Sequence, residues 1–155
     1  MSLHEMRRKD REKTESDGYE ILREASYGIM STVSLDGTPY GVPINFALHE
    51  NKIYFHCARD AGHKLENLRA NPAVCFTAVS RSEILPEEFA ADYRSAIVFG
   101  SAVEVDSDEK QKGLMLLVEK YSPDFREAGI KYIKSSVDSV SVFAITVEHI
   151  SAKER

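Results

Sequence analysis

The chain has 155 residues, a formal net charge of −5, 43% hydrophobic residues and 29% charged residues. That size supports one hydrophobic core, and that mix belongs to an ordinary folded domain rather than a disordered chain. The acidic balance argues against a nucleic-acid partner, and no apolar run approaches the roughly 18–20 residues that cross a bilayer, which argues against a membrane partner.

Residues 1–13 are polar and include Arg7, Arg8, Lys9 and Arg11. They are expected to form a mobile N-terminal arm ahead of a single domain spanning 14–155. Charged opening residues without an apolar leader point to a cytoplasmic chain. A short helix follows, with Asp17 as its expected cap, Glu20 three residues later, and Ile21, Leu22 and Ala25 on its apolar face. Residues 27–35 read as a strand and Asp36-Gly37 as a hairpin turn. Residues 40–48 read as one strand, with Tyr40, Val42, Ile44, Phe46 and Leu48 sharing a face. After a turn at Glu50-Asn51, Ile53, Phe55 and Cys57 alternate with Tyr54, His56 and Ala58.

A helix opens after Gly62, carries Leu65 and Leu68, and ends near Asn71 because Pro72 disfavours helical geometry in the residue before it. Residues 73–79 are a strand, and 80–91 read as a loop or short helix. A long strand covers 93–105, with Gly100 a candidate bulge. Asp106 is expected to cap a helix whose buried stripe is Leu114, Leu117, Val118 and Tyr121. Pro123 opens another helix running to about Lys134. The last strand covers 140–150. Six strands joined mostly by short turns predict a mostly-β fold, a closed antiparallel barrel with peripheral helices. A doubly wound parallel sheet needs helices between its strands, and the first three strands have none.

Cys57 and Cys75 are expected to be reduced core thiols. His4, His49 and His56 show no metal-ligand spacing, so no metal site is expected. Nucleophile-elbow, P-loop and dinucleotide fingerprints are absent from the sequence.

The turn Gly62-His63-Lys64 is the strongest chemical signal. A glycine and a lysine at a helix opening make a candidate phosphate seat, because first-turn N–H groups lack partners and the dipole favours an anion. A cation is not otherwise favoured there. Pro43 cannot donate to a ladder, so the sheet edge from Val42 through Ile44 to Asn45 is locally open. His56 lies opposite Phe55 and Cys57 and is a candidate proton donor, though a lone histidine is more often structural. Arg94 and Ser95 open the long strand. They can serve an anion with a guanidinium fork and a hydroxyl, or form a surface ion pair with the acidic segment before them.

These fragments resemble a known family when taken in order: Met6-Arg7-Arg8-Lys9-Asp10-Arg11-Glu12, Thr38 to Phe46, Ile53 to Ala58, Gly62-His63-Lys64-Leu65, Asn71 to Phe76, and Tyr93 to Gly100. Together they resemble the nitroimidazole-resistance (Nim-type) branch of the pyridoxamine 5'-phosphate oxidase-like split-barrel flavoproteins. The resemblance implies a homodimeric split β-barrel with FMN at the subunit interface. It implies that Val42, Pro43, Ile44, Asn45, Cys57, Ala58, His63, Lys64, Arg94 and Ser95 contact the cofactor, Arg94 and Ser95 from across the dimer. It also implies a small-molecule substrate of the nitroimidazole kind, with NAD(P)H as a donor. One departure lies at Glu87 to Asp92, where the family often carries a cysteine and an aromatic. Three other readings stand beside this one. One is oxidation of a small metabolite, as in pyridoxamine-phosphate oxidation; another is a non-catalytic flavin- or haem-binding module; the third is a dimeric scaffold without cofactor, in which Lys64 and Arg94 are surface charges.

Overall fold

A computed structural model describes residues 5–60 and 62–155. The strands are β1 (Glu12–Lys13), β2 (Gly28–Val33), β3 (Pro39–Ile44), β4 (Ala47–His49), β5 (Lys52–Ala58), β6 (Ala73–Leu85), β7 (Ala90–Val105) and β8 (Val140–Glu154). The helices are α1 (Glu15–Glu24), α2 (His63–Ala70), α3 (Ser107–Tyr121) and α4 (Arg126–Ser136). The antiparallel sheet runs β3-β2-β6-β7-β8-β5-β4, with β1 added beside β8.

The mostly-β expectation holds, with two corrections. Among the described residues the sheet has eight strands rather than six, and it is not closed. The segment expected as one strand over 40–48 breaks at Asn45 and Phe46, which adds one strand and opens the sheet, and β1, in the expected arm, adds the other. Before the break β3 pairs with β2; after it β4 pairs with β5. The two edges of the sheet are therefore consecutive in sequence. The chain itself crosses the gap, and no ladder joins β3 to β4 among the described residues.

The hairpin at Asp36-Gly37 forms, with Gly37 at φ 86°. The segment 80–91, expected as loop or helix, is instead strand on both sides of a single 3-10 turn at Pro86–Glu88. Cross-strand pairing from Arg81↔Arg94 to Leu85↔Ala90 overrides its Glu- and Ala-rich composition. A register shift falls between Phe99 and Gly100, where a bulge is expected. An added Cβ at Gly100 would meet the Thr146 carbonyl oxygen at 2.1 Å, so the close approach of β8 requires glycine there.

The main core lies inside the curved sheet. Met30, Phe76, Val98 and Ile150 make one inward row across β2, β6, β7 and β8. α1 covers it with Ile21, Leu22 and Ala25, all essentially buried. Its cap is Thr14 rather than Asp17. Thr14 accepts the Asp17 N–H, and the Asp17 carboxylate accepts from the Thr14 N–H, a reciprocal box that places Asp17 three residues inside. Asp106 occupies the capping position of α3 but its side chain makes no capping bond.

A second cluster covers the other face of β5 and β8, where Tyr54, Val142 and Ala144 pack against Leu114 of α3 and Ile133 of α4. Residues 1–4 of the expected arm lie outside the described residues. From residue 12 the arm is docked, since Glu12 and Lys13 extend the sheet beside β8 and the Arg11 guanidinium sits 6.0 Å from the Tyr93 ring centre. Cys57 is buried as expected. Cys75 is only half-buried, because it belongs to the outward row Ser31, Cys75, Phe99 and His149. Among the described residues no helix is long and apolar enough to cross a membrane, and no group of side chains is fit to hold a metal ion.

Candidate functional site

The opening of α2 is seated on the β2–β3 hairpin. Leu65 and Leu68 enter the core and pull the helix down. Beside them the buried Asn67 amide donates to Thr32 Oγ1 at 2.9 Å, fixing the helix's position along β2. At the first turn, His63 Nε2 lies 2.7 Å from Ser34 Oγ, and its ring centre lies 4.2 Å from that of Tyr40. Gly62 precedes the helix at φ 132°, with open space where a Cβ would stand. Its carbonyl accepts from Leu65 and Glu66.

Lys64 is half-buried in that first turn and forms no ion pair among the described residues. A cation here opposes the helix dipole, and an anion bound at this turn would relieve that opposition. Its charge reaches two neighbours on β5. Desolvation first, and then the Lys64 ammonium, hold His56 below the ordinary imidazole range. Burial pushes the Cys57 thiol up, with Lys64 opposing it. Cys57 faces the core. His56 faces the other way, on the side of β5 that α3 covers at Tyr54, with its ring exposed beyond that cover. Ala58, the last residue of β5, pairs with Val140 and is exposed.

β3 is an edge strand. Ile29, Met30 and Gly28 pair with Pro43, Val42 and Ile44 on one side, and the other side meets no strand among the described residues. Val42 and Ile44 lean on the core, while Pro43 and Asn45 are exposed. Val42 to Asn45 and His63-Lys64 therefore belong to one region, with the phosphate-seat candidates at the hairpin tip and the open edge further along β3.

Arg94 and Ser95 lie elsewhere in the same chain. The Arg94 guanidinium is turned to α1 and β8, with Glu24 at 2.6 Å, Glu20 at 3.1 Å and Glu154 at 3.5 Å. Ser95 points to the opposite, outward face. There it lines a cavity of about 730 Å³ between the arm and the sheet, with Ile97, Phe99, His149 and Lys153. Pro43, Ile29, Thr77, Ile97 and Ser151 form one cross-strand row on this outward face. The open edge and the cavity are thus two ends of a single surface, with Ile29, Val79 and Ile97 exposed on it.

Sequence reasoning missed two supports. Ser34 and Tyr40 hold His63, and Tyr121 holds the break between β3 and β4. The Phe46 N–H donates to the Tyr121 hydroxyl at 3.0 Å. That hydroxyl lies 2.8 Å from the Ser26 carbonyl and 3.0 Å from the Phe46 carbonyl. Tyr121 reads from helical spacing as one more apolar stripe residue, and nothing local marks its long-range bonds.

The fold is shared with solved structures. A candidate 5-nitroimidazole antibiotic resistance protein from Bacteroides thetaiotaomicron is 23% identical, with a TM-score of 0.73 over 92% of this chain and 84% of that one. A flavocytochrome from Azotobacter vinelandii is 17% identical, with a TM-score of 0.77 over 98% of this chain and 72% of that one. A FAD-binding protein from Mesorhizobium loti is 22% identical, with a TM-score of 0.64 over 94% and 97%. No curated protein sequence matches the chain. The family model described as pyridoxamine 5'-phosphate oxidase matches residues 14–154, almost the whole described domain. By that match the chain belongs to the pyridoxamine 5'-phosphate oxidase family.

Proposed function

We propose that the chain is an FMN-dependent oxidoreductase acting as a homodimer. His63 and Lys64 hold the FMN phosphate, and Val42 to Asn45 with His56, Cys57 and Ala58 border the flavin ring. The carrying observation is Lys64, a first-turn cation without a carboxylate partner among the described residues. A terminal phosphate monoester brings about two negative charges near neutral pH and satisfies both the ammonium and the unpaired first-turn N–H groups. The open space at Gly62 leaves room for its approach.

The chain's own residues divide the work. Ser34 and Tyr40 fix the His63 ring, so that turn is preorganised. Pro43 removes one N–H from the β3 edge, and the exposed Asn45 adds an amide that can face a polar ring edge. His56, held low, is neutral near pH 7 and keeps one ring N–H to give to a reacting atom. The flavin, when bound, supplies two-electron chemistry between a donor such as NAD(P)H and a small acceptor. A nitroaromatic of the 5-nitroimidazole kind is the acceptor proposed, supported by the fold likeness to the Bacteroides protein.

A second copy supplies what one chain lacks. Its outward face, with Ile97 and Ser95, would cover the exposed Ile29 and Val79 and bring Arg94 and Ser95 toward the first chain's site. The family's description favours a second reading of the same site, oxidation of a pyridoxamine-phosphate-like metabolite.

The test is the visible spectrum of purified protein before and after FMN, followed by turnover. A perturbed flavin spectrum, with NAD(P)H-dependent loss of a nitroaromatic, is expected. A colourless protein that leaves added FMN unperturbed ends the cofactor assignment. Bound flavin reduced by pyridoxamine 5'-phosphate, with no nitroaromatic turnover, selects the second reading.

A further inference from the structure

We infer that Tyr121 is a positioning residue for the flavin-edge strand, acting through the seam between β3 and β4. The inference rests on the flavin reading above. At the seam the chain leaves one edge of the sheet and joins the other within two residues, Asn45 and Phe46. Phe46 is buried while its backbone has no neighbouring strand to bond among the described residues, a costly position for a peptide group. The Tyr121 hydroxyl takes the place of that strand. It accepts the Phe46 N–H and donates its single proton between the carbonyls of Phe46 and Ser26. One hydroxyl at the last residue of α3 thus ties together the seam and the segment entering β2.

The consequence falls on Asn45. With Phe46 clamped in the core, where its ring packs edge-on to Phe76 at 4.8 Å, the residue before it is turned outward. Asn45 directly follows the Val42 to Ile44 edge. Its direction, and the end of that edge, are therefore set from α3, an element that contributes no residue to the flavin-bordering set. Without the hydroxyl, the seam's peptide groups lose their fixed partner and Asn45 samples several orientations.

Tyr121→Phe removes the hydroxyl and keeps the ring. Two readouts apply to it. In protein without flavin, amide exchange at Phe46 is expected to quicken at least tenfold. In FMN-loaded protein, flavin affinity is expected to fall several-fold and the flavin midpoint potential to shift, beyond any effect of a core substitution of equal thermal cost such as Ile133→Val. Unchanged Phe46 exchange overturns the inference, and so does a flavin affinity and potential matching those of Ile133→Val. Wild-type protein that takes up no FMN ends the flavin reading and this inference with it. Wild-type that takes up FMN while Tyr121→Phe is indistinguishable from it ends this inference alone.

Discussion

The Lys120 ammonium stands 3.8 Å from the centre of the Phe46 ring and has no hydrogen-bond acceptor among the described residues. The aromatic face offers partial compensation, on the order of 0.5–2 kcal/mol for such contacts. It does not suffice: burial pulls the amine down from the ordinary lysine value of 10.5 to about 8. Lys120 and Tyr121 therefore act on the same residue from the end of α3, one through the ring and one through the backbone.

A stability prediction follows with a definite sign. Below about pH 8 the amine is charged in both folded and unfolded chains, and the folded chain bears the cost of burying it. Between about 8 and 10.5 the unfolded chain keeps the proton and the folded chain releases it, so stability rises with pH across that window. Lys120→Met keeps the stem and removes the titration. At pH 7 this variant is expected to melt at or above the wild-type temperature, with the wild type gaining relative to it as pH rises from 8 toward 10.5. Parallel melting curves across that range would refute the buried-amine account.

The Asn67–Thr32 bond joins two groups that are both almost fully buried, at 4% and 2% exposure. Asn67→Ala strands the Thr32 hydroxyl with only its long 3.4 Å contact to the Tyr40 carbonyl. A cost of about 1–3 kcal/mol is expected, the usual penalty for an unsatisfied buried group. Chemical denaturation measures it. Because Asn67 anchors α2 to β2, the variant should also loosen the His63 turn, read as a broadened His63 imidazole resonance.

Gly100→Ala tests the bulge. The added carbon would sit 2.1 Å from the Thr146 carbonyl oxygen, a backbone atom that cannot rotate away. Opening the β7–β8 ladder is the sole relief, so a loss of about 3 kcal/mol or more is expected. Expression as soluble protein with wild-type denaturation would show that the two strands separate cheaply.

What the sequence made legible was what short-range chemistry encodes. The Asp36-Gly37 turn, the α2 boundary before Pro72 and the Gly100 bulge each depend on one or two residues and their neighbours. The seam at Asn45-Phe46 was hidden because 40–48 alternates well as a single strand. Only the competing pairings with β2 and β5 divide it. The 80–91 hairpin was hidden for the same reason, since its strands are made by each other rather than by propensity. At α1, Thr14 and Asp17 are both good capping residues, and the reciprocal bonds decide between them. In the candidate site, Lys64 stands out in the sequence because a lysine at a helix opening is chemically out of place. The ring of carboxylates around Arg94 was not, because Glu20, Glu24 and Glu154 come from distant parts of the chain.

That contrast gives the last prediction. Among the described residues Lys64 has no carboxylate partner, whereas Arg94 already has three within 3.5 Å. An anion arriving at Lys64 gains a charge-assisted bond without breaking one, while an anion recruiting Arg94 must displace Glu20, Glu24 or Glu154. Lys64→Ala is therefore expected to weaken FMN binding by about 1.5–3 kcal/mol, roughly ten- to 150-fold. Arg94→Ala is expected to weaken it less, and to lower the melting temperature more, because it removes the ion pairs that join β7 to Glu20 and Glu24 of α1. Flavin fluorescence titration and thermal melts on the same two variants measure both. Equal FMN affinity for Lys64→Ala and wild type removes Lys64 from the phosphate seat. A larger FMN loss in Arg94→Ala than in Lys64→Ala would mean that the guanidinium leaves its carboxylates to serve the cofactor.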